Sequence, residues 1–436
     1  MELLAIYAGA LLVLLALGVH VATTLFMLGL IGAFIYLGPA MVLTAGTLAW
    51  STLNDFILVA IPLFILLGEV LLRSGLADRM YAAIAVWLNW LPGGLLHTNI
   101  GACALFAATS GSSVATAATI GTVALPTFKE RGYDERLVLG SLAAGGTLGI
   151  LIPPSINMII YGAMTDTSIG RLFLAGIVPG LVLMLLFMGM ILVLTLLRPE
   201  RGGGRSAPIP LAEKLRRLKD LLPPLVIFGV VMGGIYLGWA TPTEAAALGV
   251  VAALILAALA GGLSIAMLHA AFMSTLRTTA MVMLIIVAAF FLNFVISLLG
   301  LPQIVAGWVR DLGVSPAMTI LVLVLIYLVL GCILETLSMM ITTIPIVVPL
   351  VVSLGYDPVW FGIFLTILME LALITPPVGV NLYVVQGIRP AGAGGIGDVI
   401  LGTLPFLVAM LAMVLILFLF PDLALWLPSK LFVSAS

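Results

Sequence analysis

Two adjacent prolines interrupt a long apolar run at Gly149-Ile-Leu-Ile-Pro-Pro-Ser-Ile-Asn157, and the same interruption returns at Leu373-Ile-Thr-Pro-Pro-Val-Gly-Val-Asn381. Pro153 and Pro154 remove two backbone donors and clash with the preceding turn, so no helix passes through unbroken. Gly149 loosens the segment further. In a bilayer the freed carbonyls need partners, and broken backbone is tolerated only inside protein or along a watery cavity. Two such breaks, far apart in one chain, point to a site between two halves.

That the breaks lie at membrane depth follows from what surrounds them. Of 436 residues, 63% are hydrophobic and 8% charged, against about 25% charged in a soluble domain. Apolar segments of roughly 20 residues recur along the whole length, the signature of an all-α polytopic membrane protein. The formal net charge of −1 implies no nucleic-acid partner. Cys103 and Cys332 both lie in apolar segments, so buried thiols are expected and no disulfide framework. Acidic Glu2, and a first apolar run that leads into more membrane sequence, do not fit a cleavable signal.

Segments 3–18, 21–37 and 56–72 read as spans, with 40–54 along the interface and 80–90 as a short amphipathic arm carrying Trp87 and Trp90. Residues 94–108 are too short to span comfortably. They run into Thr109-Ser-Gly-Ser-Ser113 and return, so a re-entrant hairpin is predicted over about 94–127. A first broken helix follows at about 137–164, then a span at 172–197. The stretch 199–219 is a linker; the wider 198–220 holds seven of the 17 Lys and Arg. The pattern then restarts, with spans at 221–237, 244–260, 279–299 and 399–420. A second hairpin is predicted at about 316–354 and a second broken helix at about 358–387. Gly-Tyr-Asp134 and Gly-Tyr-Asp357 lie 223 residues apart, as do Pro126 and Pro349, and the two Pro-Pro pairs. The chain therefore reads as two repeats, 1–198 and 220–436.

Lys and Arg counting orients them. With the linker in the cytoplasm, 14 of the 17 basic residues fall inside, Arg389 among them, and Arg171, Arg310 and Lys430 fall outside. Both termini then lie on the far side and the repeats are inverted. Inverted repeats with broken helices and paired hairpins are the build of secondary transporters, with sites near the midplane. One tip presents Ser110, Ser112, Ser113 and Thr116; the other presents Thr336, Ser338, Thr342 and Thr343. Hydroxyls beside unwound carbonyls suit a hard cation such as Na⁺, and half-helix N-termini suit a carboxylate. A lone membrane Ser or Thr more often bonds its own helix, so it is the clustering that counts.

Four acids lie in or near apolar runs. Glu69 reads as a structural acid near Arg73, and Glu244 as a helix start. Glu335 and Glu370 stay open, and could instead carry protons. His20, His97 and His269 are isolated, which argues against a metal site of the histidine type. Gly395-Ile-Gly-Asp398 imitates an intramembrane aspartyl protease, with Asp134 or Asp357 as the second acid. Such a pair must face across one depth, whereas these residues read as solvated ends. An enzyme is the lesser alternative.

Together Thr109-Ser-Gly-Ser-Ser-Val-Ala-Thr116, the turn from Pro126 to Asp134, 149–157, Tyr161-Gly162, Ala240-Thr-Pro-Thr-Glu-Ala245 and Thr375-Pro-Pro-Val-Gly-Val-Asn381 resemble the large membrane subunit of TRAP (tripartite ATP-independent periplasmic) transporters. The resemblance covers essentially the whole chain. It implies an elevator-type fold and Na⁺-driven uptake of an organic acid, such as a sialic acid or C4-dicarboxylate, across a bacterial or archaeal cytoplasmic membrane. It implies two partners, a small four-helix membrane subunit and a soluble periplasmic substrate-binding protein. By resemblance one Na⁺ is held by Ser110, Gly111, Ser112, Ser113, Gly149, Ile152 and Pro153. A second is held by Thr336, Ser338, Thr342, Ile374, Thr375 and Pro376. The substrate lies between them, near Ser112, Ser113, Thr116, Asn157, Thr336 and Asn381.

Overall fold

Short polar residues start the helices that bear on the site. In the computed structural model, which describes residues 2–203, 209–390 and 392–431, the Asp134 carboxylate accepts a hydrogen bond from the Leu137 amide at 2.9 Å. Asp357 accepts one from the Val359 amide at 2.7 Å. The repeated Gly-Tyr-Asp is thus one helix start used twice, an acceptor for amides that a first turn leaves unpaired. Thr241 and Glu244 form a reciprocal capping box.

The chain begins with α1 (Glu2–Ala16), α2 (Val21–Gly32) and the shorter α3 (Pro39–Val42) and α4 (Thr44–Leu53). Next come α5 (Ala60–Arg73) and α6 (Leu76–Leu88), which meet at a 71° bend. A hairpin of α7 (Gly94–Ser110) and α8 (Ser113–Glu130) follows. After it α9 (Glu135–Thr147) stops at the first proline pair and α10 (Ile156–Thr165) resumes beyond it. The long α11 (Ile169–Leu197) leads to α12 (Leu211–Arg217) in the basic linker.

Three further long helices are α13 (Leu222–Tyr236), α14 (Pro242–Leu259) and α15 (Ile265–Leu298), followed by α16 (Leu301–Asp311). A second hairpin, α17 (Pro316–Gly331) and α18 (Thr336–Ser353), precedes α19 (Pro358–Ile374), the second proline pair and α20 (Val380–Gly387). Helices α21 (Ile396–Leu419) and α22 (Asp422–Leu431) end the fold. Among the described residues six helices are long and apolar enough to cross a membrane, or seven if the bent pair counts as one span. Among the described residues there is no strand.

Two elements differ from the sequence expectation. The span expected at 279–299 starts at Ile265, because Ser264 caps it by accepting from the Met267 amide at 3.1 Å. Hydropathy alone hides that start, since His269, Ser274 and Arg277 interrupt the apolar run. The arm expected at 80–90 is α6, Leu76–Leu88, which turns at Gly75 in a left-handed conformation.

Packing crosses the two halves. Each hairpin packs on the broken helix that follows it: α7 and α8 on α9, α17 and α18 on α19. Beyond the breaks the pairing exchanges, with α10 against α18 and α20 against α8. Helices α5 and α15 pack on each other and meet this assembly, α5 at α7 and α10, α15 at α18. Trp360 anchors α19. It stacks on Tyr356 and Phe364, each at 4.9 Å between centroids, and its Nε1 donates to the Leu417 carbonyl at 3.1 Å.

Candidate functional site

The first hairpin turns at Gly111, whose φ of +62° is left-handed. A Cβ there would sit 2.8 Å from the Pro154 carbonyl oxygen, so the tip lies directly on the first break. Gly149 is pressed from the other side: its Cβ would meet the Ser112 carbonyl oxygen at 2.5 Å and the Ser113 nitrogen at 2.7 Å. Ser113 closes the contact by donating from Oγ to the Thr147 carbonyl at 3.0 Å. Ser110 and Thr116 share a hydrogen bond at 3.0 Å, and Thr116 also donates to the Ser112 carbonyl at 2.7 Å. Ser155 donates to the Ile150 carbonyl at 2.6 Å, satisfying an acceptor beside the break.

The second tip is built differently. Glu335 caps α18 with its own carboxylate. Oε1 accepts from the Leu337 amide at 3.1 Å and the Thr336 hydroxyl at 3.2 Å; Oε2 accepts from the Ser338 amide and hydroxyl, both at 3.1 Å. Thr342 donates to the Ser338 carbonyl and Thr375 to the Leu371 carbonyl, each at 2.6 Å. The Cys332 thiol donates to the Pro376 carbonyl at 3.3 Å, tying this tip to the second break.

Between the tips is a cavity of about 400 Å³, within the range of small-molecule sites. One wall comes from the hairpins and breaks: Ser110, Gly111, Ser112 and Ser113 from the first tip, Glu335 and Thr336 from the second, and Asn157. The opposite wall is α5 and α15, through Glu69 and Thr278 with Ile65, Leu72 and Met281. Among the described residues no lysine or arginine lines it. Asn157 is 3% exposed and its Nδ2 has no hydrogen-bond partner among the described residues, which leaves an unsatisfied donor in the cavity wall.

Of the sequence-stated site residues, the cavity gathers Ser110, Gly111, Ser112, Ser113, Asn157 and Thr336. Thr116 stays inside the first hairpin, bonded to Ser110 and Ser112. Gly149, Ile152 and Pro153 belong to the first break, and Ile374, Thr375 and Pro376 to the second, where Ser338 and Thr342 lie in the facing hairpin. Asn381 is elsewhere. It is fully buried, and its Nδ2 donates to the Ala143 carbonyl in α9 at 3.1 Å. The reason is one residue: three positions separate Pro377 from Asn381 and two separate Pro154 from Asn157. One extra residue turns a helix by about 100°.

Sequence reasoning missed Glu69 and Thr278. Glu69 does pair with Arg73, at 2.9 Å, and accepts from Ser274 Oγ at 2.6 Å, but it also faces the cavity. The available signal was the stripe Ile65, Gly68, Glu69 and Leu72 at helical spacing. The acids of the protease reading sit in separate ion pairs: Asp398 pairs with Arg136 at 3.0 Å, while Asp134 caps α9 and pairs with Arg201 at 3.7 Å.

A multi-pass helical membrane chain with a small-molecule cavity at the meeting point of two hairpins and two broken helices is built as a permease. The fold has a known counterpart: the chain is similar to the YdaH transporter of Alcanivorax borkumensis, with a TM-score of 0.62 over 88% of each chain at 16% identity. Residues 8–423 match the family model for the tripartite ATP-independent periplasmic transporter, DctM component. The chain is 36% identical to a C4-dicarboxylate TRAP transporter large permease protein of Pseudomonas aeruginosa, covering 93% of this chain and 95% of that one. It is 32% identical to an ectoine/5-hydroxyectoine large permease protein of Ruegeria pomeroyi, covering 85% of each. The protein belongs to the DctM family of TRAP transporter large permease subunits, and is a transport component and not an enzyme.

Proposed function

We propose that this chain is the permease subunit of a sodium-coupled, binding-protein-dependent importer of a small organic acid. Relatives named for C4-dicarboxylates and for ectoine, with sialic acids from the family resemblance, bound the substrate class. A soluble periplasmic protein delivers the acid and a small four-helix membrane subunit completes the complex in the cytoplasmic membrane. The observation that carries this reading is the cavity between the two tips, with its first tip seated on a proline break. At the first tip, hydroxyls of Ser110, Ser112 and Ser113 and carbonyls beside Gly149, Ile152 and Pro153 form a neutral oxygen set that suits Na⁺. At the second, Thr336, Ser338, Thr342, Ile374, Thr375 and Pro376 supply the same atom types. Bound sodium would supply positive charge for the substrate's carboxylate. Asn157 donates to that carboxylate, and α5 and α15 form the wall past which the tips move in an elevator step.

The reading is tested in vesicles holding the complete system. Uptake follows an imposed inward Na⁺ gradient, and Ser113→Ala, which loses a hydroxyl worth about 1 kcal/mol, raises the half-saturating Na⁺ concentration roughly fivefold. One observation favours proton coupling instead: Glu370 in α19 is fully buried, and neither carboxyl oxygen has a hydrogen-bond partner among the described residues. Glu370→Gln keeps the shape and removes the proton. Under the sodium reading it leaves Na⁺-driven uptake intact. Uptake that follows only a proton gradient, and disappears in Glu370→Gln, overturns the sodium assignment.

The proposed orientation has its own check. In a background without Cys103 and Cys332, Lys219→Cys in the linker labels from the cytoplasmic face and Lys430→Cys at the end of α22 from the periplasmic face. Labelling of both from one face removes the inverted arrangement of the halves.

A further inference from the structure

The two tips cap their return helices with opposite chemistry. Ser112 and Glu335 stand 223 residues apart, the spacing of the repeated motifs, and each is the N-cap of the helix after its tip. Ser112 offers a neutral hydroxyl, 3.4 Å from the Ala115 amide. The positive end of α8 therefore keeps its pull on an anion. Glu335 spends a full negative charge on the α18 terminus, satisfying two amides and two hydroxyls. That end is already matched, and a second anion placed there meets a carboxylate.

Apart from the proposed sodium ions, the rest of the cavity adds no basic side chain to offset this. Its lining holds no lysine or arginine among the described residues. The charge of Glu69 is paired with Arg73 at 2.9 Å, whereas Glu335 is in no ion pair among the described residues and is exposed to the cavity. Asn157, buried with an Nδ2 that has no partner among the described residues, places one unsatisfied donor in the cavity wall. The cavity's own side chains therefore favour a single anionic group, at the first tip, and its second end is an acceptor.

We propose that Glu335 is a specificity-determining residue. It selects an organic acid that carries one anionic group, placed at the first tip, and a hydrogen-bond donor or cation, placed against Glu335, and it disfavours a dicarboxylate. Hydroxylated monoacids and zwitterions meet that description. The inference rests on the reading of this cavity as the substrate site.

The test uses the full chain in lipid nanodiscs with Na⁺, reading thermal stabilisation by two probes, succinate and ectoine. Glu335→Ser places at the second tip the neutral cap that Ser112 provides at the first, and Ser caps well. Its half-stabilising succinate concentration is expected to fall at least tenfold relative to wild type, while that of ectoine rises. A succinate response unchanged or weaker in Glu335→Ser, including none in either protein, overturns the inference. If Glu335→Ser is not monodisperse, Glu335→Gln keeps the side chain's length and is read in the same way. Thr278→Trp separates the inference from the reading beneath it by filling the cavity from the α15 wall. Stabilisation that survives Thr278→Trp shows that the cavity is not the binding site. Stabilisation lost in Thr278→Trp, with succinate unaffected by Glu335→Ser, removes only the role of Glu335.

Discussion

Gly149→Ala is expected to lower Na⁺-driven uptake at least tenfold while the protein still folds and reaches the membrane. The added Cβ would lie 2.5 Å from the Ser112 carbonyl oxygen, 2.6 Å from its carbon and 2.7 Å from the Ser113 nitrogen. All three are backbone atoms, so no side-chain rotation relieves the clash, and the tip must lift from the break. Overpacking of this kind costs roughly 1–3 kcal/mol, and about 1.4 kcal/mol is a factor of ten in an equilibrium. The control is Gly189→Ala in α11, where an added Cβ meets nothing within 4 Å. It should transport normally, and gain a little stability from the helix preference for alanine. Uptake by Gly149→Ala within twofold of wild type would mean that the tip need not seat on the break.

Arg389→Ala should cost about 1–3 kcal/mol of stability, from the lost hydrogen bonds of a buried guanidinium whose carboxylate partners stay in water. The Arg389 side chain is 2% exposed. Its guanidinium donates to Glu135 at 2.6 Å, to Gln386 Oε1 at 3.0 Å, and to the carbonyls of Gly395 and Ala393. Asp398 stands 3.9 Å away. One side chain thus holds the loop between α20 and α21 to the start of α9, 254 residues away in sequence. Denaturant titration in detergent measures the loss, with Arg310→Ala as the comparison. Arg310 is exposed and forms no ion pair among the described residues, so its removal should change stability by less than about 0.5 kcal/mol. Equal effects in the two variants would show that the Arg389 network holds nothing.

Arg389 also shows where sequence reading stops. Counted among the basic residues of one face, it is indistinguishable from an exposed surface charge, because hydropathy and charge counting see no neighbours. Glu335 gives a second case. Its place beside a hydroxyl-rich tip was legible, but its use as a helix cap depends on where α18 begins. The two asparagines give a third. They read as equivalents, and one inserted residue sends one into the cavity and the other against α9.

What the sequence by itself determined was whatever local chemistry dictates. Runs of apolar residues can satisfy their backbone in lipid only as helices. Adjacent prolines stop a helix wherever they occur. Asp134 and Asp357 start helices because the amides they bond lie two or three residues away. Joint motifs along the whole length also carried the family. The tertiary structure alone decided which polar groups share the cavity. Glu69 and Thr278 reach it because α5 and α15 pack against the hairpins. Asn157 has a donor without a partner among the described residues, on a helix, α10, that crosses to the other half's hairpin. These outcomes depend on contacts between residues up to about two hundred positions apart, and no local pattern encodes which helix faces which.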